Sequence, residues 1–157
     1  MKTIAITGAR GFLGVVLAEY FSSKGYSVRR LVRDTRGEVD TCRFDLADGF
    51  DEAALLNVDV LIHAAHDFTP LSGEEMKRVN IEGSRKLFAA ATRAHIPKII
   101  FISSVSAFPG CASLYGNAKL EIEGIVRQEG GMSVRPGLIY GREGKWRFGA
   151  LEKIVTK

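Results

Sequence analysis

The sequence predicts an α/β fold, a doubly wound parallel sheet of six strands in the order 3-2-1-4-5-6. Three observations predict it. Short apolar, β-branched runs alternate with runs of helical period along the chain. The run at residues 58–63, Val-Asp-Val-Leu-Ile-His, is almost continuously apolar, as suits a parallel strand covered on both faces. A glycine turn separates the first strand from the first helix. Right-handed crossovers then favour that strand order.

Residues 2–7 form the first strand, which stops at Gly8. Residues 12–24 place Leu13, Val16, Leu17, Tyr20 and Phe21 at helical spacing, and Gly25 ends the helix. Residues 26–32 are the second strand, 33–40 a charged loop and 41–45 a short third strand. Residues 51–56 offer one or two helical turns before the fourth strand at 58–63. Residues 74–95 read as one long helix, with Met76, Val79, Leu87, Phe88 and Ala91 apolar and Pro97 beyond its end. The fifth strand is 98–103, the next helix 114–129, and the sixth strand 132–135, closed by Pro136-Gly137.

Composition bounds the function. The chain has 157 residues, 46% hydrophobic and 25% charged, enough for one folded domain with a core. No apolar run approaches the roughly 20 residues that span a bilayer, so no membrane partner is expected. The residues before Gly8 are apolar too briefly for a signal peptide. Cys42 and Cys111 lack metal spacing and are expected as reduced thiols in a cytoplasmic protein. The net charge of +4 is mild and does not point to nucleic acid. It is also uneven: residues 142–157 carry five basic and two acidic groups, so the excess lies in the tail.

The glycine turn carries the first functional signal. Gly8, Gly11 and Gly14 stand three apart in Gly8-Ala9-Arg10-Gly11-Phe12-Leu13-Gly14. Gly8 permits the tight turn, Gly11 lets a pyrophosphate approach the backbone, and Gly14 lets helix and strand pack closely. The helix N-terminus then offers free N–H groups and a positive dipole end to phosphate. Between a first strand and a first helix, this spacing is the mark of a Rossmann-type dinucleotide site. The end of the second strand reads the cofactor's ribose. An arginine there accommodates the 2′-phosphate of NADP, whereas an acid holds the 2′-hydroxyl of NAD. Arg33 occupies that position, Asp34 follows it, and Arg10 lies within reach. The preferred cofactor is NADP. The alternative is NAD, with Asp34 on the ribose and the arginines forming a solvated face.

A series of motifs in order resembles the short-chain dehydrogenase/reductase superfamily in its extended or atypical form, the NAD-dependent epimerase/dehydratase family. The series is Thr7–Gly14, Asp45-Leu46, Ile62-His63-Ala64-Ala65, residues 80–84, residues 102–106, Tyr115-Gly116-Asn117-Ala118-Lys119 and residues 135–141. The resemblance implies that Asp45 and Leu46 contact the adenine and that Ala64 and Ala65 line the dinucleotide groove. It also implies that Asn80 braces the fourth strand and its helix beside the site and that Pro136 and Gly137 pass near the nicotinamide. Ser104, Tyr115 and Lys119 would form the catalytic group. The chemistry agrees. Residues 115 and 119 share one helix face. A phenol is a poor base at neutral pH, and a close ammonium favours its phenolate. Tyr115 would exchange a proton with a hydroxyl or carbonyl oxygen while hydride moves, and Ser104 would place that oxygen. Lys119 would also hold the nicotinamide ribose. Ser103 and Ser106 are alternatives to Ser104.

The implied activity is an NAD(P)-dependent oxidoreductase or epimerase/dehydratase acting on a sugar nucleotide or another hydroxyl/carbonyl compound. The alternative is a catalytically inert NADP-binding module that senses or sequesters cofactor. Family members run about twice this length, so residues 1–141 are expected as the cofactor domain and 142–157 as a short basic remnant of a substrate region. That leaves a truncation or a minimal fold. A homodimer is a further expectation, formed by the helices at 74–95 and 114–129, with Ala89, Ala90, Ala91 and Ala94 as a smooth face. Two positions depart from the family pattern. His66 follows the two alanines and is expected as a loop residue facing solvent or cofactor. Phe108 replaces a tyrosine, removing a hydrogen bond. His63 is expected as a satisfied core histidine.

Overall fold

The computed structural model describes residues 1–139. The basic remnant expected at 142–157 lies outside the described residues. Strand β1 (Thr3–Thr7) leads into helix α1 (Phe12–Ser23), followed by β2 (Ser27–Val32), β3 (Thr41–Asp45) and β4 (Gly49–Phe50). A 3-10 turn at Glu52–Leu55 precedes β5 (Val60–His63). The long helical stretch comprises α2 (Gly73–Met76), a π segment (Lys77–Ile81) and α3 (Glu82–Arg93). Strand β6 (Lys98–Ile102), helix α4 (Leu114–Gln128) and β7 (Met132–Val134) complete the described chain.

The sheet order is β4-β3-β2-β1-β5-β6-β7. Without β4 it is the expected 3-2-1-4-5-6, and every pairing among those six strands is parallel. The expectation of six strands is corrected to seven among the described residues. The added strand is a two-residue antiparallel return at the sheet edge. Asp45 makes the return by accepting the amides of Ala47 at 2.7 Å and Asp48 at 3.1 Å, an Asx turn. Phe50 then packs on Phe44, with ring centroids 5.3 Å apart.

Both faces of the sheet are covered, as the apolar runs require. Ile4, Ile6, Val28, Val32 and Ile62 pack with Ala18, Leu17 and Phe21 of α1. Ala5, Leu31, Leu61 and Phe101 point the other way, onto Leu87, Phe88, Ile122 and Val126 of α3 and α4. Alternation along β1 therefore divides its side chains between two cores. The single helix expected at 74–95 is instead widened at 77–81. Asn80 lies within this π segment and is buried, as are Met76 and Ser84 four residues to either side. Ala90 and Ala91 are core residues under the sheet, at 1% and 0% exposure, and Ala94 packs against that core, so most of the expected smooth face is ordinary packing.

Candidate active site

A cleft of about 740 Å³ opens at the carboxyl ends of β1, β2, β5 and β6. That is the edge where open parallel sheets bind ligands, at the reversal of strand order. One wall is the glycine turn. Gly8 has φ +65°, and a Cβ on it would lie 2.8 Å from the Ala65 nitrogen. A Cβ on Gly14 would lie 2.1 Å from the Gly8 oxygen, so α1 abuts the strand end more closely than any side chain allows. At Gly11, with φ −76°, the added atom would meet only the Gly8 oxygen, at 3.1 Å. The reason for glycine there faces the cleft. Helix α1 starts at Phe12 with no side-chain cap. The first-turn amides of a helix have no intrahelical acceptor. This uncapped, positive helix end lies in the cleft wall with Gly8, Arg10, Gly11, Phe12, Leu13 and Gly14. It fits the pyrophosphate of a dinucleotide.

Arg33, Asp45 and Leu46 line the same cleft at the ends of β2 and β3. Arg10 lines it too, but its guanidinium is engaged with the Asp34 and Thr35 carbonyls and lies 3.0 Å from the Glu38 carboxylate. Arg10 therefore braces the loop after β2. Arg33 is exposed, and its charge helps hold the Asp67 carboxyl down across the cleft.

Ala64 and Ala65 form the floor, held by a buried hydrogen-bond chain. Both amides donate to Thr7 Oγ1 at 3.1 Å. Thr7 Oγ1 lies 2.6 Å from His63 Nδ1, and His63 Nε2 lies 2.9 Å from Ser84 Oγ. Ser84 donates to the Asn80 carbonyl at 2.6 Å. An oxygen that accepts two amides keeps its own hydrogen for His63 Nδ1. His63 therefore carries its hydrogen on Nε2 and donates it to Ser84. Burial, then the Lys119 charge, holds this imidazole well below its ordinary pKa, so it stays neutral. His63 is the satisfied core histidine expected. Asn80 does not reach the cleft wall. It is 1% exposed and clamps the Asp67 backbone, accepting its amide at 2.8 Å and donating to its carbonyl at 2.9 Å.

The opposite wall carries Ser104, Tyr115 and Lys119. Ser113 caps α4 by accepting the Gly116 amide at 3.0 Å, which starts the helix just before Tyr115. Lys119 follows one turn later. Its Nζ donates to the Ile102 carbonyl at 2.8 Å and lies 5.7 Å from the Tyr115 ring centroid. Burial pushes this ammonium down from 10.5 to about 8. The three serines separate. Ser103 is buried and donates to Glu123 Oε1 at 2.5 Å. Ser106 is exposed, and its amide donates to Ser104 Oγ at 3.1 Å. Ser103 and Ser104 both line the cleft, but the Ser103 hydroxyl is spent on Glu123. Arg135 grips Glu123 through two bonds, at 2.7 and 2.6 Å, and this fork anchors the turn that brings Pro136 and Gly137 into the cleft. The Arg135 hydrogen bonds are the main cause of a Glu123 carboxyl below its ordinary range.

Comparison with known proteins agrees with this architecture. The profile of the NAD-dependent epimerase/dehydratase family matches residues 4–148. The chain belongs to that family. A ceramide reductase of Caulobacter vibrioides is 34% identical over 149 residues, which is 88% of this chain and 46% of that protein. A UDP-glucose 4-epimerase of Vibrio cholerae is 28% identical across 99% of this chain and 57% of its own length. Among solved structures, a short-chain dehydrogenase/reductase superfamily protein of Agrobacterium tumefaciens with bound NAD superimposes with a TM-score of 0.70. It is 25% identical over 85% of this chain and 48% of its own. The chain thus spans about half the length of the curated relatives it matches.

Some cleft residues escape sequence reasoning. Asp67 and Phe68 follow His66 on the loop after β5, and both line the cleft. His66, expected to face solvent or cofactor, lines it too, with its Nε2 buried and unpaired. Their only signal in the sequence is position, since loops at the carboxyl ends of parallel strands build the site.

Proposed function

We propose that the cleft binds a nicotinamide dinucleotide and that Tyr115 is the acid/base of a hydroxyl/carbonyl oxidoreduction. One observation carries this reading. The uncapped N-terminus of α1 and the Tyr115–Lys119 pair face each other across one cleft at the carboxyl edge of the sheet. When bound, the nicotinamide would supply or accept the hydride. In the reductive direction the carbonyl carbon gains a hydride, its oxygen takes the Tyr115 proton, and the C=O becomes C–OH. Ser104 donates a hydrogen bond to that oxygen. Lys119 holds the ribose hydroxyls and favours the phenolate that remains. Asp45 and Leu46 border the adenine, and Pro136 and Gly137 the nicotinamide.

The same reading prefers NADP. Arg33 is the cation that meets the 2′-phosphate, because Arg10 is already held by Glu38. The substrate class it covers is a sugar nucleotide or another hydroxyl/carbonyl compound. Two copies would associate through α3 and α4, in a reducing, cytoplasmic setting suited to the free Cys42 and Cys111. Calorimetric titration with NADP and NAD, followed by turnover of wild type and Tyr115→Phe on a carbonyl and sugar-nucleotide panel, tests the proposal. Dinucleotide binding with Tyr115-dependent turnover supports it. Absence of binding overturns it. A second reading is a cofactor-binding module without turnover. Binding with no Tyr115-dependent reaction would select it.

A further inference from the structure

Three rings form a corner beside the proposed acid/base. Phe68 lies nearly parallel to Tyr115, at 21°, with centroids 5.6 Å apart. His66 stands edge-on to both, at 65° to Phe68 with centroids 4.7 Å apart and at 86° to Tyr115 with centroids 4.9 Å apart. Despite these contacts Phe68 is 62% exposed, so one ring face is bare in the cleft. A single exposed phenyl is ordinary on a protein surface, but this one stands against the ring of the proposed acid/base. Further exposed apolar side chains stand on loops at the same edge: Leu71 at 89% and Phe108 at 51%.

We propose that the substrate carries a flat apolar group next to its reacting carbon, and that Phe68, walled by His66, is the platform that holds this group beside Tyr115. The proposal rests on the oxidoreductase reading of the cleft and narrows its substrate class. Aromatic faces attract flat rings in offset or edge-on arrangements 4.5–7 Å apart, at roughly 0.5–1.5 kcal/mol beyond area burial. Charge argues against the other class in that reading. A nucleoside diphosphate needs cations, and Asp67 stands between His66 and Phe68. Burial raises this carboxyl, but its hydrogen bonds with Thr69 and the charge of Arg33 outweigh that and keep it ionised. The described cations of the cleft rim, Arg10, Arg33 and Arg36, stand instead at the β2 end. His66 adds no charge, since burial and the Lys119 ammonium push it down to about 3. As a neutral ring it can wall an apolar group.

The test uses the full chain at saturating NADP, where an aldehyde binds without reacting. Dissociation constants are measured by ligand-observed NMR for benzaldehyde, cyclohexanecarbaldehyde and UDP-glucose. The expected order is benzaldehyde tightest, with Phe68→Ala weakening it by roughly fivefold or more. Phe68→Leu, which keeps apolar bulk, should also weaken benzaldehyde while changing cyclohexanecarbaldehyde little. UDP-glucose binding tighter than benzaldehyde, or benzaldehyde binding indifferent to both substitutions, overturns the proposal. So does light scattering that shows a dimer dispersed by Phe68→Ala, because a second copy would then be the occupant. Failure of both NADP and NAD to bind is a separate result and sinks the oxidoreductase reading beneath it.

Discussion

Lys119 is a cation held where a cation is costly, and that cost is measurable without substrate. Its ammonium is 3% exposed, faces the Phe101 ring 4.6 Å away and donates to one carbonyl. Burial lowers it from 10.5 to about 8, equivalent to roughly 3 kcal/mol between charged and neutral forms. The sign follows from linkage. Between these two values the unfolded chain holds more protons than the folded one, so stability rises with pH. The native state bears the full penalty below about pH 8 and sheds it as pH climbs towards 10.5. Lys119→Met removes the group and the slope. The stability of the variant relative to wild type should therefore fall by about 2.5 kcal/mol between pH 7 and pH 10. Other titrating groups cancel in that difference. Urea unfolding of both proteins across this range is the assay. A difference flat with pH would refute the claim that Lys119 is buried as a strained cation beside Tyr115.

Three further outcomes follow from the same geometry. Arg33→Ala should weaken NADP by about 10- to 100-fold, the worth of a lost charge-assisted bond, and weaken NAD far less; calorimetry showing equal losses would refute the 2′-phosphate role. Arg135→Ala strips the partner from a buried carboxylate, so its melting temperature should fall at neutral pH. Because the folded Glu123 value lies below the ordinary 4.5, the wild-type advantage should be complete above that pH and fade as pH falls through the lowered value; thermal melts from pH 7 to pH 3 check it. His63 should show the 15N pattern of a neutral ring with its hydrogen on Nε2 from pH 8 to pH 5, and an ordinary titration near 6.5 would contradict the Thr7–His63–Ser84 chain.

What could be read from the chain alone was local. Gly8, Gly11 and Gly14 declare their turn because their spacing is short and spans one strand–helix junction. Tyr115 and Lys119 share a face because one helix fixes them. The parallel order follows from the alternation of elements. What could not be read depends on distant partners. Arg10 was expected at the phosphate, yet Glu38, on a loop beyond β2, captures it. Ser103 and Ser104 are adjacent and chemically identical, and only Glu123, twenty residues on, separates them. The two-residue β4 is too short to show periodicity and exists because Asp45 turns the chain and Phe50 finds Phe44. The π segment leaves no trace in a helical pattern that continues through it. Phe68 belongs to a loop whose meaning appears only when Tyr115 arrives beneath it from α4.

The central claim is that the glycine turn is a cradle for a dinucleotide and not merely a tight junction. Gly11→Ala separates these, because the added methyl meets only the Gly8 oxygen, at 3.1 Å, and the backbone there has an ordinary φ. Titration calorimetry of wild type and Gly11→Ala with NADP and NAD is the most direct measurement. Wild type should bind at least one of the two, and Gly11→Ala, with an unchanged circular dichroism spectrum, should lose most of that affinity. Equal affinity in both proteins, or a folded wild type that binds neither dinucleotide, would contradict that claim.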